Sequence, residues 1–175
     1  METKKIKKRS GRERTFRIVT IVTLLTGVLL TGCSSLDCPY ENRVYTKYQL
    51  KGDVKMLLDT LTVTTNRISD GSDTILLNQA VKIDSFELPM SYANAQDVFH
   101  FHIKRTDKQT FTDTVIVNKK DQTHFESVDC NPTYFHTLTG ISYTTHAIDS
   151  IVIHNTQVNY DASQPHFYIY FRYHD

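Results

Sequence analysis

The chain contains no tryptophan, and its 175 residues include only 6 glycines and 4 prolines. Without Trp, a common carbohydrate-binding platform is missing. Only Gly52, Gly71 and Gly140 lie beyond residue 33, none near another, so no glycine-rich loop can cradle a phosphate. Gly-x-Ser-x-Gly, His-Glu-x-x-His and Ser-x-x-Lys with its partner elements are all absent, and with them several marks of hydrolytic chemistry. Helical periodicity is missing too, since every convincing repeat after Cys38 is two. A basic face is also lacking. The totals, 20 Lys+Arg against 19 Asp+Glu, conceal an uneven spread. Residues up to Arg17 hold eight basic and two acidic side chains, and from Cys33 onward the count is 12 to 17. That mildly acidic body argues against a nucleic-acid partner, which needs a basic surface. What remains is a length that fits one domain and a hydrophobic share of 39%, enough for a globular core.

The basic start runs into Ile18–Leu30 (IVTIVTLLTGVLL), thirteen uncharged residues. That is short of the roughly 20 needed to span a bilayer. A basic segment, a short apolar run and small residues after it describe a secretory signal, with an uncleaved anchor helix as the alternative. The run ends in Leu30-Thr31-Gly32-Cys33, which resembles the lipobox of bacterial lipoproteins. The resemblance implies a diacylglyceryl thioether on Cys33, cleavage before it and acylation of the new amino terminus. Two or more acyl chains anchor a protein stably where one does so only marginally. The chain then divides into a signal peptide (1–32), a lipidated N-terminus and tether (33–42) and a body (43–175). Ser34 stands where an Asp would resemble an inner-membrane retention signal, which favours the outer membrane. The stretch Ser34-Ser35-Leu36-Asp37 carries a single acid, which favours the periplasmic face over surface display. The expected partners are the membrane, through the lipid on Cys33, and an envelope protein.

Two cysteines are left, Cys38 and Cys130. In an oxidising exported compartment such a pair reads as a disulfide before it reads as a metal or catalytic pair. The alternative, a reactive thiol, needs a positioned His and an electropositive niche, and no spacing points at either Cys.

The body reads as strands. Phe99, Phe101 and Ile103 alternate with Val98, His100, His102 and Lys104, and Phe167, Ile169 and Phe171 alternate with Tyr168, Tyr170 and Arg172. Strands are expected at Val44–Leu50, Val54–Leu58, Asp59–Thr65, Thr74–Asn78, Ile83–Leu88, Val98–Lys104, Thr112–Asn118, Thr123–Val128, Ile148–Asn155 and Phe167–Tyr173, some merging, with turn signals between them that include Lys119-Lys120-Asp121. Tyr134 to Tyr143 reads as a helical turn or a wide connection. Asp followed by Ser or Thr opens four apolar runs, at Asp59, Asp73, Asp113 and Asp149, and reads as turn punctuation. The alternative, a calcium-binding edge, needs several oxygens converging in one loop. The fold expected is an all-β antiparallel sandwich, immunoglobulin-like in general architecture, with about seven to nine strands.

Two features invite a ligand. His100 and His102, two apart on a strand, share a face and could ligate zinc or copper if a third ligand approached. The plainer reading sends Phe99 and Phe101 to the core and both imidazoles to water. Tyr168, Tyr170 and Tyr173 could form a glycan platform or, equally, a packed cross-strand ladder. Taken with Cys33, Cys38-Pro39, the Asp-Thr strands and Cys130, the chain resembles a family of small Bacteroidota lipoproteins that carry one uncharacterised domain. The resemblance implies lipidation of Cys33 and pairing of Cys38 with Cys130, with no cofactor and nothing catalytic. The expected role is a lipid-anchored binding or assembly component. A metal-binding protein or metal-dependent enzyme built on His100 and His102, and a glycan-binding lipoprotein, are the alternatives.

Overall fold

Burial with a period of two sets in at Tyr45. Between Tyr45 and Leu50, Thr46, Tyr48 and Leu50 are buried and their neighbours half-exposed, as a strand with one face on a core requires. The computed structural model describes residues 38, 43–67, 70–92 and 94–172. The described residues contain no helix and ten strands. These are β1 (Tyr45–Leu50), β2 (Thr60–Asn66), β3 (Asp73–Ala80), β4 (Ser85–Pro89), β5 (Gln96–Lys104), β6 (Thr110–His124), β7 (Thr133–Tyr143), β8 (Ile148–Ile153), β9 (Gln157–Val158) and β10 (Phe167–Phe171).

The strands form a sandwich. One sheet has the order β4-β1-β10-β8 and the other β3-β2-β5-β6-β7-β9. Every pairing is antiparallel except β1 with β10, where Tyr48 lies opposite Phe167 in parallel. Tyr48 sits at the centre of the core. Its ring stacks on Phe86 at 5.0 Å and on Phe167 at 4.6 Å, and meets Phe101 edge-on at 6.1 Å. Such ring pairs add about 0.5–1.5 kcal/mol each beyond the area they bury. In the turn after β1, Gly52 has φ +79°, and a Cβ there would lie 2.9 Å from Cδ1 of Tyr170. Both the backbone and the close approach therefore require glycine.

The all-β sandwich is as the alternation indicates, but three segments differ. Val54–Leu58 is not a strand. Only Leu57 of that run is buried, and it makes a single bridge with Ile83, so the run has no strand beside it to pair with. Thr123–Val128 is not a separate strand either. β6 continues without a break through Lys119-Lys120-Asp121 to His124. The turn expected there is absent because the Lys119 ammonium, buried, donates to Asp121 and to the carbonyl of Asn94, both at 2.7 Å. A satisfied charge can remain inside a strand. Finally, Tyr134–Tyr143 is neither a helical turn nor a wide connection but most of β7, which pairs along β6 from His124 back to Val115.

Candidate binding groove

On one side of the sandwich β3 and β4 are the outer strands of their sheets. A groove of about 740 Å³ opens there, within the range of small-ligand sites. Leu76, Pro89, Met90 and Phe99 give it apolar walls, and Arg43 and Arg67 stand exposed at its rim. Its polar element is Asp97, on the core-facing side of β5 and 7% exposed. Asp97 Oδ2 accepts the backbone N–H of Ser91 at 3.2 Å. The Ser91 hydroxyl beside it is buried and makes no hydrogen bond. Burial pushes the Asp97 carboxyl above its ordinary value, against the opposing pull of Ser91 and of the Lys119 cation.

Behind Asp97 lies a closed polar layer. Lys119 and His136 both bond Asp121 Oδ1, at 2.7 and 2.8 Å. A carboxylate only accepts, so Nδ1 of His136 carries the proton. Burial holds His136 below its ordinary pKa, although Asp121 pulls the other way. A histidine oriented by an acid is one half of a nucleophilic triad. However, the His136 side chain is 1% exposed, and no hydrogen bond joins it to a serine, threonine or cysteine among the described residues. The layer therefore positions charge behind the groove and presents no nucleophile to it. The groove can hold an apolar segment against Leu76, Met90 and Phe99, pair an anionic group with its arginines, and accept or donate one hydrogen bond at Asp97.

The residues singled out in the sequence lie elsewhere. His100 and His102 point away from the core on β5, while Phe99 and Phe101 are buried. His102 is held through both ring nitrogens, Nε2 at 3.2 Å from Thr64 Oγ1 and Nδ1 at 3.0 Å from Thr112 Oγ1. His100 Nδ1 lies 3.3 Å from Thr114 Oγ1. Among the described residues no three of His, Cys, Asp and Glu converge on one point. Tyr168 is sandwiched, with His154 stacked on it at 4.3 Å and Lys51 Nζ 4.8 Å from its centroid. Tyr170 packs over Gly52, and Tyr173 falls outside the described residues. Cys33 lies outside them as well. The sulfurs of Cys38 and Cys130 are 2.06 Å apart, at bonding distance.

Beyond its geometry, the sequence matches the profile of a family of unknown function, DUF6452, over residues 42–171. The chain belongs to that family. No curated protein and no solved structure matches it. The DUF6452 region takes in both sheets, the groove, the polar layer and Cys130, and it opens after Cys33 and Cys38. Of the residues that build the DUF6452 groove, sequence reasoning singled out none for binding. A signal for Asp97 was available, since it shares parity with Phe99, Phe101 and Ile103 and so must face the core. Arg43, Arg67 and Ser91 carry no such mark.

Proposed function

We propose that this protein is a lipoprotein of the outer membrane, anchored through lipid on Cys33 and facing the periplasm. It acts as a non-catalytic binding module whose groove takes an extended segment of an envelope protein. The observation that carries the binding role is the groove itself, with apolar walls, two rim arginines and a buried acid at one point. Apolar contact supplies affinity, and a few placed polar groups fix orientation. β3 is also an outer strand of its sheet, an edge to which a strand can be added. Leu30-Thr31-Gly32-Cys33, after a short apolar run, supports the anchor.

A photo-crosslinking residue at Tyr92, which lines the groove, tests the module in intact cells, with the same residue at Met56 on the opposite end as control. The expected result is one envelope protein joined at position 92, lost when Arg43→Glu and Arg67→Glu are combined, and no adduct at position 56. Equal adducts at both positions, or none at either, would remove the groove as the binding site. In parallel, Cys33→Ala is expected to abolish incorporation of labelled fatty acid.

A further inference from the structure

The end of the β6–β7 hairpin turns two apolar side chains outward. Phe125 and Val128 are 61% and 97% exposed. The loop that carries them is shaped: the Asp129 N–H donates to Ser127 Oγ at 3.2 Å and the Cys130 N–H to the Ser127 carbonyl at 3.3 Å, leaving Val128 at the apex of a turn. Behind this tip stand aromatic rings on both faces of the ribbon. Tyr134 and Phe135 are neighbours in β7 and so point to opposite faces. On one face Tyr92 stacks on Tyr134 at 5.3 Å. On the other, His124 stacks on Phe135 at 4.4 Å and Tyr160 meets Phe135 edge-on at 5.1 Å. An apolar point with tyrosines set behind it matches the layering of a bilayer surface, where Tyr prefers headgroup level and Phe and Val lie deeper.

What covers the tip follows from the chain that leads to it. The loop contains Cys130, bonded to Cys38, and Cys38 lies five residues after Cys33. Five residues reach at most about 18 Å when fully extended. The Cα atoms of Cys38 and Cys130 are 5.5 Å apart, so whatever surface holds Cys33 holds Cys130 within about 24 Å. On the lipoprotein reading just given, on which this inference rests, that surface is the bilayer.

We infer that the β6–β7 tip is a second membrane contact, with Phe125 and Val128 seated in the interfacial layer and the tyrosines at headgroup level. Glu126 and Asp129 flank the apolar residues without a basic cluster, so the contact suits neutral lipid and is weakened by anionic lipid. It adds to the acyl chains and fixes how the body stands. Tyr92 belongs both to this ring of aromatics and to the groove wall, so the groove opens beside the membrane rather than away from it.

The absence of tryptophan makes the test direct. Phe125→Trp, Val128→Trp and, at the far end, Leu58→Trp each create a single reporter in the full-length protein. Each is reconstituted into vesicles of zwitterionic phospholipid with bromine-labelled acyl chains, and the mass of the Cys33 peptide is measured in the same sample. The expected result is acylated Cys33, emission shifted to shorter wavelength and quenched by bromine at positions 125 and 128, and neither effect at position 58. Water-like emission at 125 and 128 in acylated protein overturns the contact and leaves the lipoprotein reading intact. A shift without bromine quenching means a second copy covers the tip, which also overturns it. An unmodified Cys33 takes down the lipoprotein reading and this contact together.

Discussion

The carboxylate of Asp113 accepts a hydrogen bond from the backbone N–H of Ala147 at 2.7 Å, tying the first part of β6 in one sheet to the chain that enters the other. Its Oδ2 also takes the Ile148 N–H at 2.9 Å, while Oδ1 takes the His146 N–H and the Thr144 hydroxyl, both at 2.7 Å. Asp113 is fully buried. Burial alone would raise its pKa, but the donors at 146, 148, 147 and 144 outweigh it and hold the carboxyl below its ordinary 3.8. Asp113→Asn keeps the shape but turns an amide donor toward these donors. The expected cost is about 3 kcal/mol at neutral pH. A group with a depressed folded pKa stabilises above its unfolded value and loses that contribution as pH falls through the folded one. The gap between wild type and variant, read from urea midpoints, should therefore close below about pH 4. A gap that persists unchanged to pH 2 would show that the charge is not what holds the crossover.

Asp97 has the opposite sign. Burial raises its pKa above 3.8, so the folded state favours the neutral carboxyl. Its ionisation weakens the fold as pH rises from the unfolded value through the folded one. Asp97→Asn removes that penalty and keeps an oxygen for the Ser91 N–H. It is expected to be neutral or to stabilise by about 1 kcal/mol at pH 7, with no difference below about pH 3.5. If the groove works as proposed, the same variant weakens the crosslink at position 92 while the urea midpoint holds. A large loss of stability at pH 7 would mean that Asp97 serves as a structural charge partner of Lys119 and not as part of a ligand site.

His166 fastens the two sheets at a second point. Its Nδ1 lies 3.0 Å from the backbone nitrogen of Lys47 in β1, and its Nε2 lies 3.1 Å from the carbonyl of Gln157 in β9. The Lys47 N–H can only donate and the Gln157 carbonyl can only accept, so the ring is neutral with its proton on Nε2. Burial lowers its pKa from 6.5, although the Gln157 carbonyl opposes the shift, and burial lowers His136 likewise. Both rings must charge on unfolding in acid. The stability they contribute is complete above pH 6.5 and declines as pH falls from there through their lowered folded values. His166→Ala leaves two backbone groups unpaired beside a cavity, at about 3 kcal/mol, and flattens part of this decline. Nitrogen NMR should find the Nε2–H tautomer. A ring that titrates near 6.5 in the folded protein would remove this account.

The strands legible in the sequence are those whose core face is wholly apolar, such as Phe99-Phe101-Ile103 and Phe167-Ile169-Phe171. Reading faltered wherever a polar residue takes a core position because a distant group satisfies it. Asp113 reads as turn punctuation, yet it shares parity with Val115 and Val117 inside β6, and its partners lie more than 30 residues on. Lys119-Lys120-Asp121 reads as a turn, because nothing nearby announces that the Asn94 carbonyl will meet the Lys119 ammonium. β7 has a weak pattern of its own, broken by Gly140, and exists because β6 offers it a long edge. The groove was illegible for the same reason, since its walls come from the ends of β2 and β5, from β3 and from the chain after β4. The cysteine pair was readable because only two cysteines are left after Cys33 and an exported chain is expected to pair them.

That pair supports the last prediction. Cys38 is exposed and Cys130 is 7% exposed, and 92 residues separate them. Closing so long a loop removes entropy from the unfolded chain worth about 4–5 kcal/mol, an upper figure because strain in the folded state subtracts from it. The bond enters the body at the hairpin loop and not through the core around Tyr48. Its loss should therefore act unevenly. The Cys38→Ser, Cys130→Ser variant is expected to fold with a lower urea midpoint. Amides in the loop between His124 and Thr133 should exchange faster in the folded state, while those of Tyr48 and Phe101 keep their protection relative to global unfolding. Protein isolated without reductant should show no free thiol in the body. An unchanged urea midpoint after reduction would mean that the hairpin end is held by its own rings, and that Cys38 serves only as a link to the chain before it.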